Sequence, residues 1–319
     1  MFQLPLTPQM LTLCTEIGVL LGRYEGLMSP VPQPQLRRLN RIKTIQGSLA
    51  IEGNSLSLDQ VTAIFGDRKV LGPKKDVLEV SNAIHAYDCL SDYRLYSTLS
   101  FRAAHKNLMK GLIPDAGLWR AGQVGIFKGS KVSHVAPPAK RVPQLMENLF
   151  ADLKKSKNLH PLVRAASVHY EIEFIHPFSD GNGRVGRLWQ GVHLLSFHPL
   201  FEFLSVESIV KDRQLEYYEA LERSDREGSA RIFVEFSLKT VLDALTEFLG
   251  EVRPAPLSSE TRLEKAREHF GDLLFGRIDY IKFFKSLSTA TASRDLKEGV
   301  DKKILKKIGE RATARYIFK

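Results

Sequence analysis

The run His176-Pro177-Phe178-Ser179-Asp180-Gly181-Asn182-Gly183-Arg184-Val185-Gly186-Arg187 places a histidine, an acid, an amide, three glycines and two arginines within twelve positions. These are most of the groups needed to hold a nucleoside triphosphate with a metal ion and to promote attack on one of its phosphorus atoms. Asp180–Gly183 precedes an expected helix beginning near Asn182, where free N–H groups and the positive helix end favour an anion. Gly181 and Gly183 let the backbone approach a ligand without Cβ clashes. Asn182 can cap the helix or donate to a phosphate oxygen. Arg184 and Arg187 are three apart and share a helix face. Two cations in the first turns oppose the helix dipole unless an anion offsets them. Asp180 is a hard oxygen ligand suited to Mg²⁺ that bridges phosphates. His176 can accept a proton near neutral pH. Phe178 reads as an aromatic anchor for the loop.

Helical patterns dominate the elements that must position this loop. One helix is expected over Gln35–Glu52, with Leu36, Leu39, Ile42, Ile45 and Leu49 on one side, entered through Pro30, Pro32 and Pro34 and stopped by Gly53 and Asn54. Others are expected near Val77–Leu90, Ser100–Lys110, Gln144–Lys155, Leu162–Ile175, Gln214–Arg223 and Arg231–Leu249. Pro177 disfavours helical geometry at His176. Alternation in Gln123–Phe127, then Gly129, then Val132–Val135 predicts a β-hairpin.

The twelve-residue run matches at every defined position the H-x-F-x-D-G-N-G-R-x-x-R signature of the Fic family, and Val168-His169-Tyr170 with Phe174-Ile175 resembles the helix before it. The resemblance implies a mainly α fold, a Fic-type helical bundle with a β-hairpin flap. It implies AMP transfer from ATP to a hydroxyl of a target protein. His176 would be the general base and Asp180 the Mg²⁺ ligand. Gly181, Asn182, Gly183 and Arg184 would hold phosphates, and Arg187 the γ-phosphate.

Ser48-Leu49-Ala50-Ile51-Glu52-Gly53 is similar to the family's inhibitory motif (S/T)-x-x-x-E-(G/N). Ser48, Glu52 and Gly53 occupy its defined places. By that resemblance Glu52 pairs with Arg187 and holds the enzyme off; the same carboxylate could instead position water to remove AMP. Gln123–His134 resembles the target-clamping flap, with Ile126 aligned to its clamping hydrophobe; the Lys128–Ser133 stretch is longer than the family pattern. Tyr218 and Asp225 resemble nucleoside-pocket residues.

The formal charge is +10, unevenly spread. Residues 253–319 carry 16 Lys and Arg against 9 Asp and Glu, a net +7 that points to a separate unit with an anionic partner. Arg253–Ser259 reads as a linker. Beyond it, helices near Glu260–Phe270, Tyr280–Ser286 and Thr291–Glu298 and a strand pair at Ile304–Ile308 and Ala314–Phe318 resemble a small winged-helix (α+β) domain. Thr291–Glu298 would be its recognition helix and DNA one partner; Asp295 and Glu298 on that helix would repel phosphates, and a dimer or protein-docking module is the alternative.

The expected division is 1–110, an N-terminal helical region; 111–252, the catalytic core with flap; and 253–319. No stretch approaches the roughly 20 apolar residues of a membrane span, and no signal peptide is read. Cys14 and Cys89 make no disulfide framework and read as buried small hydrophobes, so a cytoplasmic setting is expected. A homodimer is one expectation for assembly. The alternatives to AMP transfer are removal of AMP, transfer of another nucleotide or phosphoryl group, or a nucleotide-sensing DNA-binding regulator.

Overall fold

The computed structural model describes residues 4–26, 34–123, 125–128, 131–156, 158–251, 257–284, 287–310 and 314–319, the strands between 125 and 135 by their backbone. The chain divides into two compact units, Met1–Arg253 and Pro254–Lys319.

In the first unit the order is α1 (Pro8–Gly26), α2 (Pro34–Ile51), α3 (Leu58–Phe65), α4 (Lys74–Asp88), α5 (Thr98–Met109), β1 (Gly125–Lys128), β2 (Lys131–Val135), α6 (Val142–Lys155), α7 (Pro161–Ile175), α8 (Asn182–Phe197), α9 (Val206–Asp212), α10 (Gln214–Glu227) and α11 (Arg231–Glu251). The strands β1 and β2 pair antiparallel, with a register shift between Ile126 and Phe127. The helices on either side of residue 110 share one core.

At its centre Phe101 lies against Trp189 and Phe178, with ring centroids 5.1 and 5.5 Å apart. All three are fully buried, so truncating any of them to alanine costs about 3–5 kcal/mol. The expected anchor role of Phe178 is what this packing provides. Most of α7 is buried around its whole circumference, which suits a helix enclosed by neighbours rather than one lying on a surface.

The end of α2 is set by sequence. Gly53 is left-handed at φ +87°, where a side chain would be strained. Its N–H donates to Ala50 O at 3.0 Å and the Asn54 N–H to Leu49 O at 3.1 Å, the paired bonds of a Schellman stop. Pro34 is the first helical residue rather than part of an extended entry, which its fixed φ permits. Pro30 and Pro32 lie outside the described residues. Ile42, Ile45 and Leu49 are buried as the periodicity predicts, but Leu39 is 40% exposed. Ser57 and Gln60 form a reciprocal capping box that starts α3.

A second core joins α1 to α11 through Met10, Ile17, Val234 and Val241. Cys14 and Cys89 are free and half-buried rather than fully enclosed.

The second unit contains α12 (Ser259–Phe270), β3 (Phe275–Gly276), α13 (Arg277–Phe284), α14 (Thr289–Asp301), β4 (Leu305–Ile308) and β5 (Arg315–Phe318). Its sheet is antiparallel in the order β3-β5-β4, with one short strand more than the sequence predicts. Its core is built on Leu263, Phe275, Tyr280, Leu296 and Leu305. The linker residues 253–256 lie outside the described residues, apart from the division itself. No described helix is long and apolar enough to cross a membrane.

Candidate active site

The helix α7 ends at His176, whose backbone is left-handed at φ 50° and ψ 61°. Pro177 follows it and bars the right-handed helical alternative. The loop that begins there is braced from below. Arg120 donates from Nε to His176 O at 2.7 Å, and its backbone N–H to Pro177 O at 3.0 Å. Asn182 accepts from Phe178 N at 2.9 Å and donates to Phe178 O at 3.0 Å. Its side chain therefore stitches the loop rather than capping α8 or facing a ligand.

His105 is fully buried and stacked on Phe178 with centroids 3.5 Å apart. Its Nδ1 accepts from the Gly117 N–H at 2.9 Å. A backbone N–H can only donate, so the ring proton belongs on Nε2, which lies 2.8 Å from Asp180 O and donates to it. Burial pushes this imidazole down to about 4, which keeps it neutral.

These bonds turn the carbonyls of residues 176, 177 and 180 toward the protein. Gly181, at φ +81°, is the N-cap of α8, and no side chain caps the helix. The N-terminus of α8 thus presents backbone N–H groups as an anion site.

Both arginines of the run are buried and face carboxylates. Arg184 donates from Nη1 to Glu79 Oε1 at 2.8 Å and from Nη2 to Asp180 Oδ1 at 3.0 Å. Glu79 also accepts from Asn54 Nδ2 at 2.8 Å, which links α4 to the stop of α2. Arg187 donates from Nη2 to Glu52 Oε1 at 2.7 Å and to Ser48 O at 2.9 Å, and from Nε to Ser48 Oγ at 3.1 Å. Burial alone would lower the Arg187 pKa, but the Glu52 carboxylate outweighs it and holds the guanidinium charged. The opposition of two cations to the α8 dipole is thus met by Glu79 and Glu52.

The Glu52 carboxylate also lies over Gly183. A Cβ at that position would run into Glu52 Oε1 and sit 3.0 Å from Arg187 Nη1. Gly183 is where an acid from α2 reaches the first turn of α8.

Deeper in the unit lie further charges. Glu173 is buried on α7; burial would raise it, but His169, whose Nε2 lies 3.6 Å from Oε1, and the Arg187 guanidinium bring it below its usual value. Tyr217 donates to Glu173 at 3.3 Å. Its neighbour Tyr218 is 37% exposed and donates to Ile51 O at 3.3 Å, one residue before Glu52. Asp225 accepts from Tyr170 at 2.9 Å, so that carboxylate helps fix α10 to α7. At the hairpin, Ile126 pairs with His134; its side chain lies outside the described residues.

No group of three or more His, Cys, Asp or Glu able to hold a metal occurs among the described residues. The donor set suits Mg²⁺ nevertheless. Asp180 is a half-exposed carboxylate at the mouth of the anion site, and Mg²⁺ is commonly held by one or two carboxylates together with substrate phosphates and waters.

A family model described as Fic/DOC family matches residues 96–194. A Fic family protein from Desulfovibrio desulfuricans G20, known as a crystal structure, is 38% identical and superposes with a TM-score of 0.75, covering 100% of this chain and 98% of its own. The chain belongs to the Fic family. Protein adenylyltransferase Fic of Nematostella vectensis is 30% identical over 239 residues, covering 70% of this chain and 52% of the relative. This Fic protein thus spans about half the length of that curated relative. Fic-1 (aa134–508) from C. elegans shares the fold at TM-score 0.61 and 21% identity.

The structure brings His176, Asp180, Gly181, Gly183, Arg184, Arg187, Ser48, Glu52 and Gly53 of this Fic protein to one place. Glu79, His105 and Arg120 belong to the same site and were not singled out by sequence. Their signals are weak: a glutamate on a mixed helix, a histidine four residues after a core phenylalanine, and an arginine after Trp119.

Proposed function

We propose that this protein is an adenylyltransferase that moves AMP from ATP to a hydroxyl of a target protein and that Glu52 holds it inactive at rest. The observation that carries the reading is the Glu52 carboxylate over Gly183, paired with Arg187 at 2.7 Å, at the uncapped start of α8. A carboxylate there occupies space and a cation that a triphosphate would use. Names of adenylyltransferase relatives support the same chemistry.

In this reading the triphosphate lies along the N-terminus of α8, its charge met by the backbone of Gly181–Gly183 and by Arg184. Arg187 takes the γ-phosphate once Glu52 withdraws. Mg²⁺, held by Asp180, would neutralise and orient the phosphates. His176 removes the proton from the target hydroxyl. The oxygen then attacks the α-phosphorus in line, the bond to the β-phosphate oxygen breaks, and pyrophosphate leaves. Catalysis rests on positioning and charge stabilisation. Tyr218 and Asp225 border the nucleoside, and the hairpin clamps the target segment with Ile126 at its grip. Free cysteines at 14 and 89 support a reducing, cytoplasmic setting.

Incubation with α-labelled and γ-labelled ATP tests the reading. Label should reach protein from the α position alone, rise at least about tenfold with Glu52→Gly, and vanish with His176→Ala, since general-base catalysis supplies about 10²–10⁴-fold. Equal labelling by wild type and Glu52→Gly would refute the inhibitory role.

A second reading concerns the C-terminal unit, proposed as a winged helix that binds duplex DNA through α14. One observation favours it. Asp295, which would repel phosphates from the helix surface, is buried and held by Arg262 at 2.6 and 2.8 Å and by Tyr280 at 3.3 Å. Glu298 is paired with Lys302 at 2.8 Å. The exposed side of α14 carries Arg294 and Lys297.

A further inference from the structure

Arg120 is 3% exposed, yet among the described residues it has no carboxylate partner. Its guanidinium instead meets four backbone carbonyls. Nη1 donates to Gly122 O at 2.9 Å and Nη2 to Pro137 O at 2.5 Å. Nε donates to His176 O at 2.7 Å, and Nη2 also faces Ile175 O at 3.4 Å. Gly122 and Pro137 are the two feet of the hairpin, just before β1 and just after β2. Ile175 and His176 are the end of α7 and the residue after it. Adjacent backbone adds a fifth link, from Arg120 N to Pro177 O. A buried cation without a counter-ion is costly unless its donors are fully used. Five donors in a rigid plane can join three separate strands of chain, which a lysine ammonium cannot do.

We infer that Arg120 is a positioning residue that locks the hairpin and His176 into one frame, so that a target hydroxyl presented by the hairpin arrives in register with the base that deprotonates it. This rests on the reading of His176 as base and of the hairpin as clamp. Water that attacks the same phosphorus is not delivered by the hairpin and can follow His176 wherever it sits. A clamped hydroxyl cannot. Loss of Arg120 should therefore act on the protein acceptor far more than on water.

The test uses the full chain carrying Glu52→Gly, with and without Arg120→Gln. Two rates are measured: AMP transfer to protein, and hydrolysis of ATP to AMP and pyrophosphate. Transfer should fall about 100-fold, the cost of a misplacement near 1 Å, while hydrolysis changes by less than about threefold. A parallel fall in both rates, or unchanged transfer, overturns the inference. Hydrogen exchange supplies a readout independent of activity. Amides of 131–135 and of 176–180 should lose protection together in Arg120→Gln while the middle of α8 keeps its own; unchanged protection in either segment overturns the inference as well. If Glu52→Gly alone labels no protein, the proposed reaction fails, and the exchange data still decide whether Arg120 links the two segments. Should Arg120→Gln not fold, Arg120→Lys serves in its place. Its single ammonium cannot reach both hairpin feet and the loop, so the same bias should appear with smaller amplitude.

Discussion

Arg187 is held by the Glu52 carboxylate at the end of α2, a partner that a phosphate would replace in the proposed reaction. The guanidinium is 3% exposed and Glu52 27%, so the pair is only partly screened. Glu52→Gln keeps the shape and removes the charge; allowing for the solvent at Glu52, it should cost about 2 kcal/mol and lower the apparent melting temperature by several degrees. Saturating ATP with Mg²⁺ should then raise Tm more in the variant than in wild type, because the ligand takes over the counter-ion role. Equal shifts in a thermal-melt comparison would show that Glu52 and the phosphates do not compete for Arg187. His105 yields a pH prediction. Its folded-state affinity for a proton is reduced, from the usual 6.5 to about 4, so the unfolded chain binds more protons. Stability is complete above about pH 6.5 and is lost as pH falls toward 4. Between pH 7 and 5 this one group should remove about 2 kcal/mol. Urea titrations of His105→Gln should give a shallower pH slope, by up to one proton. The run from His176 to Arg187 was legible as a candidate site because it is contiguous and its residue types are uncommon together. Glu79, His105 and Arg120 were not, since they lie 105, 75 and 56 positions from the groups they hold, and nothing local distinguishes them from ordinary helix or loop residues.

Among the elements, α2 matters through both its end and its side. The Schellman stop at Gly53 points Glu52 at α8, and Gly47 sets how closely α2 lies on α9. A Cβ at Gly47 would be 2.8 Å from the backbone carbon of Glu207 and 2.9 Å from its oxygen and from Ser208 N. All three are main-chain atoms and cannot rotate away, so Gly47→Ala must move α2 or α9. Overpacking of this kind costs about 1–3 kcal/mol. A shift of α2 carries Ser48 and Glu52 with it, so Gly47→Ala should raise basal AMP transfer with Glu52 intact while lowering Tm. A variant that loses stability without gaining transfer would show that α2 is not the moving part. Of these elements, α2 was readable from its buried stripe and stop residues. The helix α1 was not, because Leu11 and Val19 are more than half exposed while Met10, Leu13 and Ile17 are buried, and apolar residues on both sides blur the period of 3.6. With seven residues, α9 is too short to show a period, and β3 has two.

For the molecule as a whole, the asymmetry of charge is the feature that the catalytic reading leaves unexplained. Residues 253–319 hold +7 of the net +10, and the first unit, with its internally paired arginines, has no need of it. In the second unit the sign of the exposed groups is sharpened by burial. Asp295 faces inward against Arg262, whereas Arg277, Arg294, Lys297 and Lys307 are exposed on or beside α14 and β4. Asp279 is engaged by Arg315 at 3.0 Å. Four exposed cations that meet phosphates would release about four counter-ions, giving a slope of log K against log salt of about −3 to −4. Fluorescence-anisotropy titrations of a short DNA duplex with full-length protein should show that slope. Arg294→Ala and Lys297→Ala should each reduce it by about one, and His176→Ala should leave it unchanged because His176 belongs to the other unit. Binding without a salt slope, or binding insensitive to both substitutions, would assign the charge to some other partner.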